Sequence, residues 1–171
     1  MGKGTVVARL RELFPQVWVS VSATTRQRRP GEVDGEHYWF VTPERFAAMR
    51  DAGELLEWAQ VHGSNYYGTP RGPVAEHLAA GVPSLLEIDL QGARQIRETM
   101  PEALFVFLAP PNFAELERRL AGRGTEDDDE RQRRLATARV ELDAQGEFDA
   151  VVVNDTVELA ALELARLMGL R

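Results

Sequence analysis

The sequence predicts an α/β fold: one domain in which a parallel sheet is flanked by helices. Its 171 residues fall within the usual length of a single domain and suffice to bury a core without disulfide bonds. Short runs that are apolar at nearly every position alternate with helical segments, which is typical of parallel strands covered on both faces. Residues 32–69 depart from this alternation and predict a small strand-rich insert.

The elements of the first half are predicted from apolar spacing and from the residues that end helices. Apolar side chains three and four positions apart indicate helices, whereas β-branched and aromatic runs indicate strands. Thr42 and Pro43 open one helix and Gly53 ends it, while a polar loop from Ser22 to Gly35 separates two strands. In chain order we expect helix 5–14, strand 17–21, strand 38–41, helix 42–53, strand 55–61 and helix 73–80.

The second half continues the alternation. The run 84–90 is nearly continuous in apolar residues and predicts a buried strand, although it carries Glu87 and Asp89. Asn112 is an expected N-cap, and residues 122–129 form an acidic segment that we expect to be flexible. In chain order we expect strand 84–90, helix 91–99, strand 104–109, helix 113–121, helix 130–145, strand 151–153 and helix 157–168.

Composition excludes several classes of function. The chain has no cysteine, hence no disulfide, thiolate metal site or thiol nucleophile, and its three histidines are too scattered to predict a zinc site. No apolar run reaches the ~20 residues that cross a bilayer, and the amino terminus has no signal-peptide pattern. A net charge of −7 argues against non-specific nucleic-acid binding. We therefore expect a cytoplasmic protein with no membrane or nucleic-acid partner; its oligomeric state does not follow from the sequence.

The start of the first helix has the composition of a phosphate-binding loop. Gly2, Lys3, Gly4 and Thr5 provide backbone N–H groups and a cation for phosphate oxygens, and the helix dipole favours an anion there. Lys3 is the only lysine among 20 basic residues, which suggests a need for a compact ammonium group. Only the end of the usual motif is present, so a glycine-rich tail is the alternative.

A second candidate site follows the first predicted strand. Arg26 and Arg29 lie three residues apart in the polar loop, where two guanidinium groups can grip one phosphate. Ligands of open α/β sheets bind at the carboxyl ends of strands, which is where this loop lies. A solvated basic loop is the alternative.

Three further positions can carry chemistry. Residues 65–69, Asn-Tyr-Tyr-Gly-Thr, offer phenolic and hydroxyl donors, or else form a surface turn with core tyrosines. Glu57 is either a solvated residue of an edge strand or a buried carboxylate with a function. Asp89, at the end of an apolar run, is placed either to hold Mg²⁺ or to cap the next helix.

Two arginines flank the acidic segment 126–130. Arg123 and Arg134 either belong to an ordinary charged helix or lie on a mobile lid that brings guanidinium groups to a transferring phosphoryl group.

Together these patterns resemble guanylate kinase along almost the whole chain. Their order and spacing make coincidence an unsatisfactory explanation. The motifs are Gly-Lys-Gly-Thr, Ser-x-Thr-Thr-Arg-x-x-Arg-x-Gly-Glu, Glu-Trp-Ala-Gln, Asn-Tyr-Tyr-Gly-Thr, Glu-Ile-Asp-x-Gln-Gly, Arg-Gly-Thr-Glu and Val-Asn-Asp.

The resemblance implies a phosphoryl transfer from ATP to GMP with Mg²⁺, giving ADP and GDP. By motif, the phosphate of GMP would be held by four residues: Arg26, Arg29, Tyr38 and Tyr67. Glu32 would orient the arginines and Glu57 would accept the N1–H and N2–H donors of guanine. The other implied GMP-binding residues are Ser22, Gly68, Thr69, Glu87 and Asp89.

For ATP, the resemblance implies a site at the start of the first helix. Lys3 would contact the β- and γ-phosphates beside Gly2, Gly4 and Thr5, and Asn154 with Asp155 would lie near adenine. Lys3, Arg26, Arg123 and Arg134 would be the catalytic residues. Thr5 and Asp89 would hold Mg²⁺, directly or through water, because Gly4 occupies the position of the usual Ser or Thr.

The implied fold is a P-loop nucleoside-monophosphate kinase. We expect its core at 1–31 and 70–171, a lid at about 122–134 and a GMP-binding insert at 32–69. Family members have a strand before the phosphate loop, so we expect the first central strand to be missing from this chain. Two other readings stay open: a catalytically silent guanylate-kinase-like binding module, and an inactive truncated fragment.

Overall fold

The computed structural model describes residues 2–61, 63–121 and 128–171, which form two compact units. One unit combines Met1–Pro15 with Leu104–Arg171, and the other is Gln16–Ala103. In chain order the elements are α1 (Lys3–Leu13), β1 (Trp18–Val19), β2 (Ala23–Thr24), β3 (Trp39–Phe40), α2 (Pro43–Asp51), β4 (Leu55–Val61), β5 (Asn65–Pro70), α3 (Arg71–Ala79), β6 (Ser84–Leu85), α4 (Leu90–Thr99), β7 (Val106–Ala109), α5 (Phe113–Ala121), α6 (Asp128–Asp143), β8 (Ala150–Val153) and α7 (Val157–Leu167).

The unit Gln16–Ala103 contains a four-stranded sheet in the order β3-β2-β5-β4. β2 pairs in parallel with β3, whereas β5 is antiparallel to both β2 and β4. In the β4–β5 ladder, Glu57 lies opposite Thr69 and Ala59 lies opposite Tyr67. A separate parallel pair, β1 and β6, completes the strands of this unit among the described residues.

Helix α2 supplies the apolar cover of that sheet. Thr42 caps the helix by accepting the backbone N–H of Arg45 at 3.1 Å, and Pro43 takes its first position. Phe46 and Met49, three residues apart and so on one face, are buried together with Ala23 and Leu55. The apolar spacing of α2 therefore fixes it against the sheet that carries Glu57.

The other unit is built on the parallel pair β7–β8 and on α1 and α7. Val106–Ala109 runs beside Ala150–Val153 in register. α1 packs on α7, where Val6 and Leu10 are fully buried and Arg9 Nε lies 2.6 Å from Glu158 Oε2. A smaller core between α5 and α6 centres on Leu116.

The α/β class, the parallel strand pairs and the strand 55–61 are confirmed. The strand predicted over 84–90 is wrong beyond Leu85, because Asp89 caps α4 instead of extending the strand. The polar loop after Ser22 contains β2, and residues 65–69 lie in a strand, β5, where a turn was the alternative.

Two parts of the predicted organisation stay predictions. The insert boundary at 32–69 is one of them. The predicted lid is the other: residues 122–127 lie outside the described residues, and 128–134 form the start of α6. Among the helices that the structure describes, none has the length and apolarity needed to cross a membrane.

Candidate functional site

The loop that follows β2 carries a tightly paired group of charges. The Arg26 guanidinium donates to both carboxylate oxygens of Glu32, at 2.8 and 3.1 Å, and also to the Gln27 carbonyl at 2.9 Å. The backbone N–H of Arg29 donates to Glu32 Oε2 at 2.7 Å. These hydrogen bonds, first from Arg26 and then from Arg29, lower the pKa of Glu32 to about 2. Glu32 thus fixes the side chain of Arg26 and the backbone at Arg29, while the residue Arg29 is exposed.

Two tyrosines stand beside this pair. The rings of Tyr38 and Tyr67 meet edge to face with centroids 5.8 Å apart, and Arg26 Cζ lies 5.3 Å from the Tyr38 centroid. Burial raises the pKa of Tyr38, so its phenol stays a neutral donor. We call Arg26, Arg29, Glu32, Tyr38 and Tyr67 the arginine cluster. A guanidinium held rigidly beside two phenols suits a phosphate group, which accepts hydrogen bonds from both kinds of donor.

A second group of polar residues is buried. Glu57 is 7% exposed and Thr69 is fully buried, and the Thr69 hydroxyl donates to Glu57 Oε1 at 2.7 Å. Burial raises the pKa of Glu57, and the nearby charge of Asp89 raises it further against the opposing hydrogen bonds from Thr69. Sequence reasoning left open whether Glu57 was an exposed edge residue, and the structure places it inside.

Gly92 lies against the second carboxylate oxygen of Glu57. A Cβ at Gly92 would be 2.6 Å from Glu57 Oε2, which no side chain could occupy without displacing that oxygen. Asp89 is the N-cap of α4 and accepts the Gly92 N–H at 2.9 Å. We call Glu57, Thr69, Asp89 and Gly92 the glutamate pocket. Gly92 ends the motif Glu-Ile-Asp-x-Gln-Gly, but no role was predicted for it; the signal was a glycine within the first turn of a helix.

Strand β5 joins the two groups. Tyr67 and Thr69 are two residues apart, so they face the same side of the sheet at a spacing of about 7 Å. Gly68 lies between them, and a Cβ there would be 2.9 Å from the backbone oxygen of Glu57. The arginine cluster and the glutamate pocket are therefore linked through two residues of one strand that face the same side of the sheet.

The remaining residues predicted for this site lie at its margin. Ser22 is half-buried before β2, and its carbonyl accepts the Trp39 N–H at 2.8 Å. Glu87 is exposed, and its charge adds to the raised pKa of Tyr38, which places it near the arginine cluster.

In the other unit, the predicted ATP-binding segments meet at the start of α1. Gly2 adopts a φ of 73°, and a Cβ on it would be 2.8 Å from Asn154 Nδ2. Asn154 is 4% exposed and its carbonyl accepts Arg119 Nη2 at 3.3 Å, whereas Asp155 is exposed. Asn154 thus lies at the positive end of the helix that begins with Lys3.

The other predicted catalytic and metal-binding residues are only partly described. Arg123 lies outside the described residues, and Arg134 lies on α6 with Nη2 3.5 Å from Glu130 Oε1. Gly4 and Thr5 are exposed in the first turn of α1. Within 2–61, 63–121 and 128–171, no cluster of three acidic or histidine side chains could enclose a metal.

Comparison with known proteins gives consistent results. The family described as "Guanylate kinase" matches residues 2–170. A guanylate kinase of Synechococcus sp. (strain CC9311) is 58% identical over 170 residues, covering 99% of this chain and 89% of that protein. One of Bifidobacterium longum (strain NCC 2705) is 60% identical over 168 residues, covering 96% and 86%. The crystal structure of guanylate kinase from Anaplasma phagocytophilum superposes with a TM-score of 0.80 at 35% identity, covering 97% of this chain and 80% of that one.

Proposed function

This chain belongs to the guanylate kinase family, and we propose that it transfers the γ-phosphoryl group of ATP to GMP, giving ADP and GDP. One observation carries the proposal. A buried carboxylate, Glu57, and a guanidinium held by Glu32, that of Arg26, lie in one unit, each beside a residue of strand β5. Thr69, which donates to Glu57, and Tyr67, whose ring meets that of Tyr38 beside Arg26, are two positions apart on β5, about 7 Å. That arrangement suits a ligand with a base at one end and a phosphate at the other.

The glutamate pocket supports guanine as the base. Guanine presents adjacent N1–H and N2–H donors, which one carboxylate can accept together, whereas adenine has an acceptor at N1. Binding adenine would set the lone pair of its N1 against the buried carboxylate of Glu57, where guanine offers an N–H donor. Thr69 holds Oε1 in place and Gly92 leaves room for Oε2, so the carboxylate is oriented before a base arrives.

The arginine cluster supports a phosphate at the other end. Arg26 is already fixed by Glu32, and Tyr38 with Tyr67 would add neutral donors. Holding the acceptor phosphate in this way aligns it for attack, and a phosphate oxygen needs no strong base to act as a nucleophile.

For the donor, we propose that Lys3 and the amino terminus of α1 hold the phosphates of ATP, with Asn154 and Asp155 near adenine. Arg134, together with Arg123 in the segment not described, would neutralise charge on the transferring group. Bound Mg²⁺ would offset the negative charge of the phosphates. Thr5 and Asp89 carry the hydroxyl and carboxylate oxygens that this ion prefers. A cytoplasmic location stays a prediction.

A coupled assay of ADP release tests the proposal. We expect this chain to turn over ATP with GMP and to use AMP poorly, by several powers of ten. Equal use of AMP and GMP would show that Glu57 does not select the base. Binding of GMP without turnover, measured in parallel by calorimetry, would favour a silent binding module over a kinase.

A further inference from the structure

Gln95, on α4, completes the free edge of strand β4. Its Nε2 donates to the Trp58 carbonyl at 2.7 Å, and its Oε1 accepts the Trp58 N–H at 3.0 Å. β4 is an outer strand of the four-stranded sheet. In a strand, the backbone N–H and C=O of one residue point to the same side. The N–H and C=O of Trp58 therefore point away from its partner Gly68 on β5. The carboxamide of Gln95 therefore pairs with β4 as a neighbouring strand would.

The same face of α4 contacts Glu57. Gly92 and Gln95 are three residues apart, about one helical turn, and Gly92 lies against Glu57 Oε2. Glu57 directly precedes Trp58 on β4. α4 thus contacts β4 at two consecutive strand residues. Gln95 makes paired hydrogen bonds with Trp58, and Gly92, which has no side chain, lies close to Glu57.

Those paired hydrogen bonds have a fixed geometry. Two hydrogen bonds between the planar carboxamide of Gln95 and the backbone N–H and C=O of Trp58 define both the distance and the rotation of α4 about β4. Without them, α4 could shift by fractions of an ångström. Gly92 would then no longer lie against Glu57 Oε2.

We propose that Gln95 is a positioning residue for guanine recognition: it fixes α4 so that Gly92 stays against Glu57 Oε2 and the Glu57 carboxylate keeps its orientation. The inference rests on the proposed function, since it assigns Gln95 a role in the use of GMP. Gln95 itself touches the backbone of Trp58 and makes no contact with Glu57 among the hydrogen bonds of the described residues.

Gln95→Met tests this, because methionine keeps the length and removes both hydrogen bonds. The matched control is Gln60→Met, an exposed glutamine on the same strand. We expect Gln95→Met to raise KM and Kd for GMP by about tenfold. The kcat and the KM for ATP should stay within about twofold of the parent values, and hydrogen exchange of the Trp58 amide should accelerate. Gln95→Glu keeps an acceptor for the Trp58 N–H but sets a carboxylate oxygen against the Trp58 carbonyl, so it should also raise KM for GMP. Gln60→Met should match the parent.

Two results would overturn the inference. One is an unchanged KM for GMP in Gln95→Met. The other is an equal loss towards ATP and GMP accompanied by a lower unfolding midpoint, which would indicate a purely structural role. Failure of the proposed function is separate: it would appear as a parent chain that binds GMP without turnover, and in that case the Kd comparison still decides on Gln95.

Discussion

Two glutamates in the unit Gln16–Ala103 are placed in opposite environments. Glu32 accepts hydrogen bonds from Arg26 and from the backbone of Arg29, and its pKa falls to about 2. Glu57 is buried beside a neutral hydroxyl, that of Thr69, and its pKa is raised. An arginine balances the charge of the first carboxylate, whereas no cation among the described residues acts on the second.

This difference separates two tasks. In the arginine cluster, Glu32 has a structural role. Its ion pair with Arg26 holds the guanidinium in position for a negatively charged ligand. In the glutamate pocket, burial separates the Glu57 carboxylate from water. A ligand with two N–H donors would supply the hydrogen bonds that water would otherwise provide. The cluster should therefore set affinity for phosphate, while the pocket should set the choice of base.

The largest effect is expected for Glu57→Gln. The amide keeps the size of the side chain but replaces one acceptor with a donor that faces the donors of guanine. We expect kcat/KM for GMP to fall about 1,000-fold and the preference for GMP over inosine monophosphate to disappear, with KM for ATP unchanged. Glu54→Gln is the matched control, since Glu54 is exposed and pairs only with Arg45 at the surface among the described residues. Steady-state assays with both acceptors measure the effect.

The second largest effect is expected for Arg26→Lys, which should weaken the use of GMP without changing the choice of base. Lysine cannot reproduce the two-point contact with Glu32 or offer a planar fork to phosphate. We expect kcat/KM for GMP to fall about 100-fold while the preference for GMP over inosine monophosphate stays that of the parent. Arg28→Lys, an exposed neighbour in the same loop, should change neither value. Loss of the preference for GMP over inosine monophosphate in Arg26→Lys would show that the arginine cluster also sets the choice of base.

Gly92→Ala should have the same kind of effects as Glu57→Gln, on the use of GMP and on the base preference, but smaller ones. The added Cβ would be 2.6 Å from Glu57 Oε2 and must push the carboxylate aside. We expect KM for GMP to rise about 10- to 30-fold with a weakened base preference, at little cost in the unfolding midpoint. Gly72→Ala provides the control, because no heavy atom lies within 4 Å of a Cβ at that helical glycine. Equal effects of the two alanines would show that crowding at Glu57 is not the cause.

The smallest effect concerns acid stability. The pKa of Glu32 is about 2 in the native state, below the ordinary value of a glutamate, so the native state binds this proton less readily than the unfolded chain. The stabilisation is present above the ordinary pKa and is lost as the pH falls towards 2. Glu32→Gln should thus lower the urea midpoint at pH 7 and differ less from the parent near pH 3. Glu36→Gln, exposed in the same loop, should show no such trend.

Local patterns sufficed for much of the fold. Strand β4 was predicted with its observed bounds, and Thr42 and Asn112 cap the helices that they were predicted to cap. The run 84–90 was misjudged because apolar content does not reveal that the Asp89 carboxylate is taken by the Gly92 N–H. β2 is only two residues long and is held by pairing with β3 and β5, which no local pattern records.

Motifs predicted which residues form the candidate site, and those assignments stay predictions; motifs did not predict the environment of each residue. Whether Glu57 is buried depends on α4, which lies more than thirty residues further along the chain. Gln95 left no signal, since its hydrogen bonds join residues separated by 37 positions. Contacts of this kind arise from packing, and a single sequence does not encode them in any local spacing.

Calorimetry on three acceptors tests the central claim most directly. GMP presents two donors to Glu57, inosine monophosphate presents one, and AMP presents an acceptor. With the parent chain we expect Kd to rise in that order, by about tenfold or more at each step. With Glu57→Gln the three values should converge. An unchanged order and spacing of Kd values in Glu57→Gln would show that the buried carboxylate does not read the base.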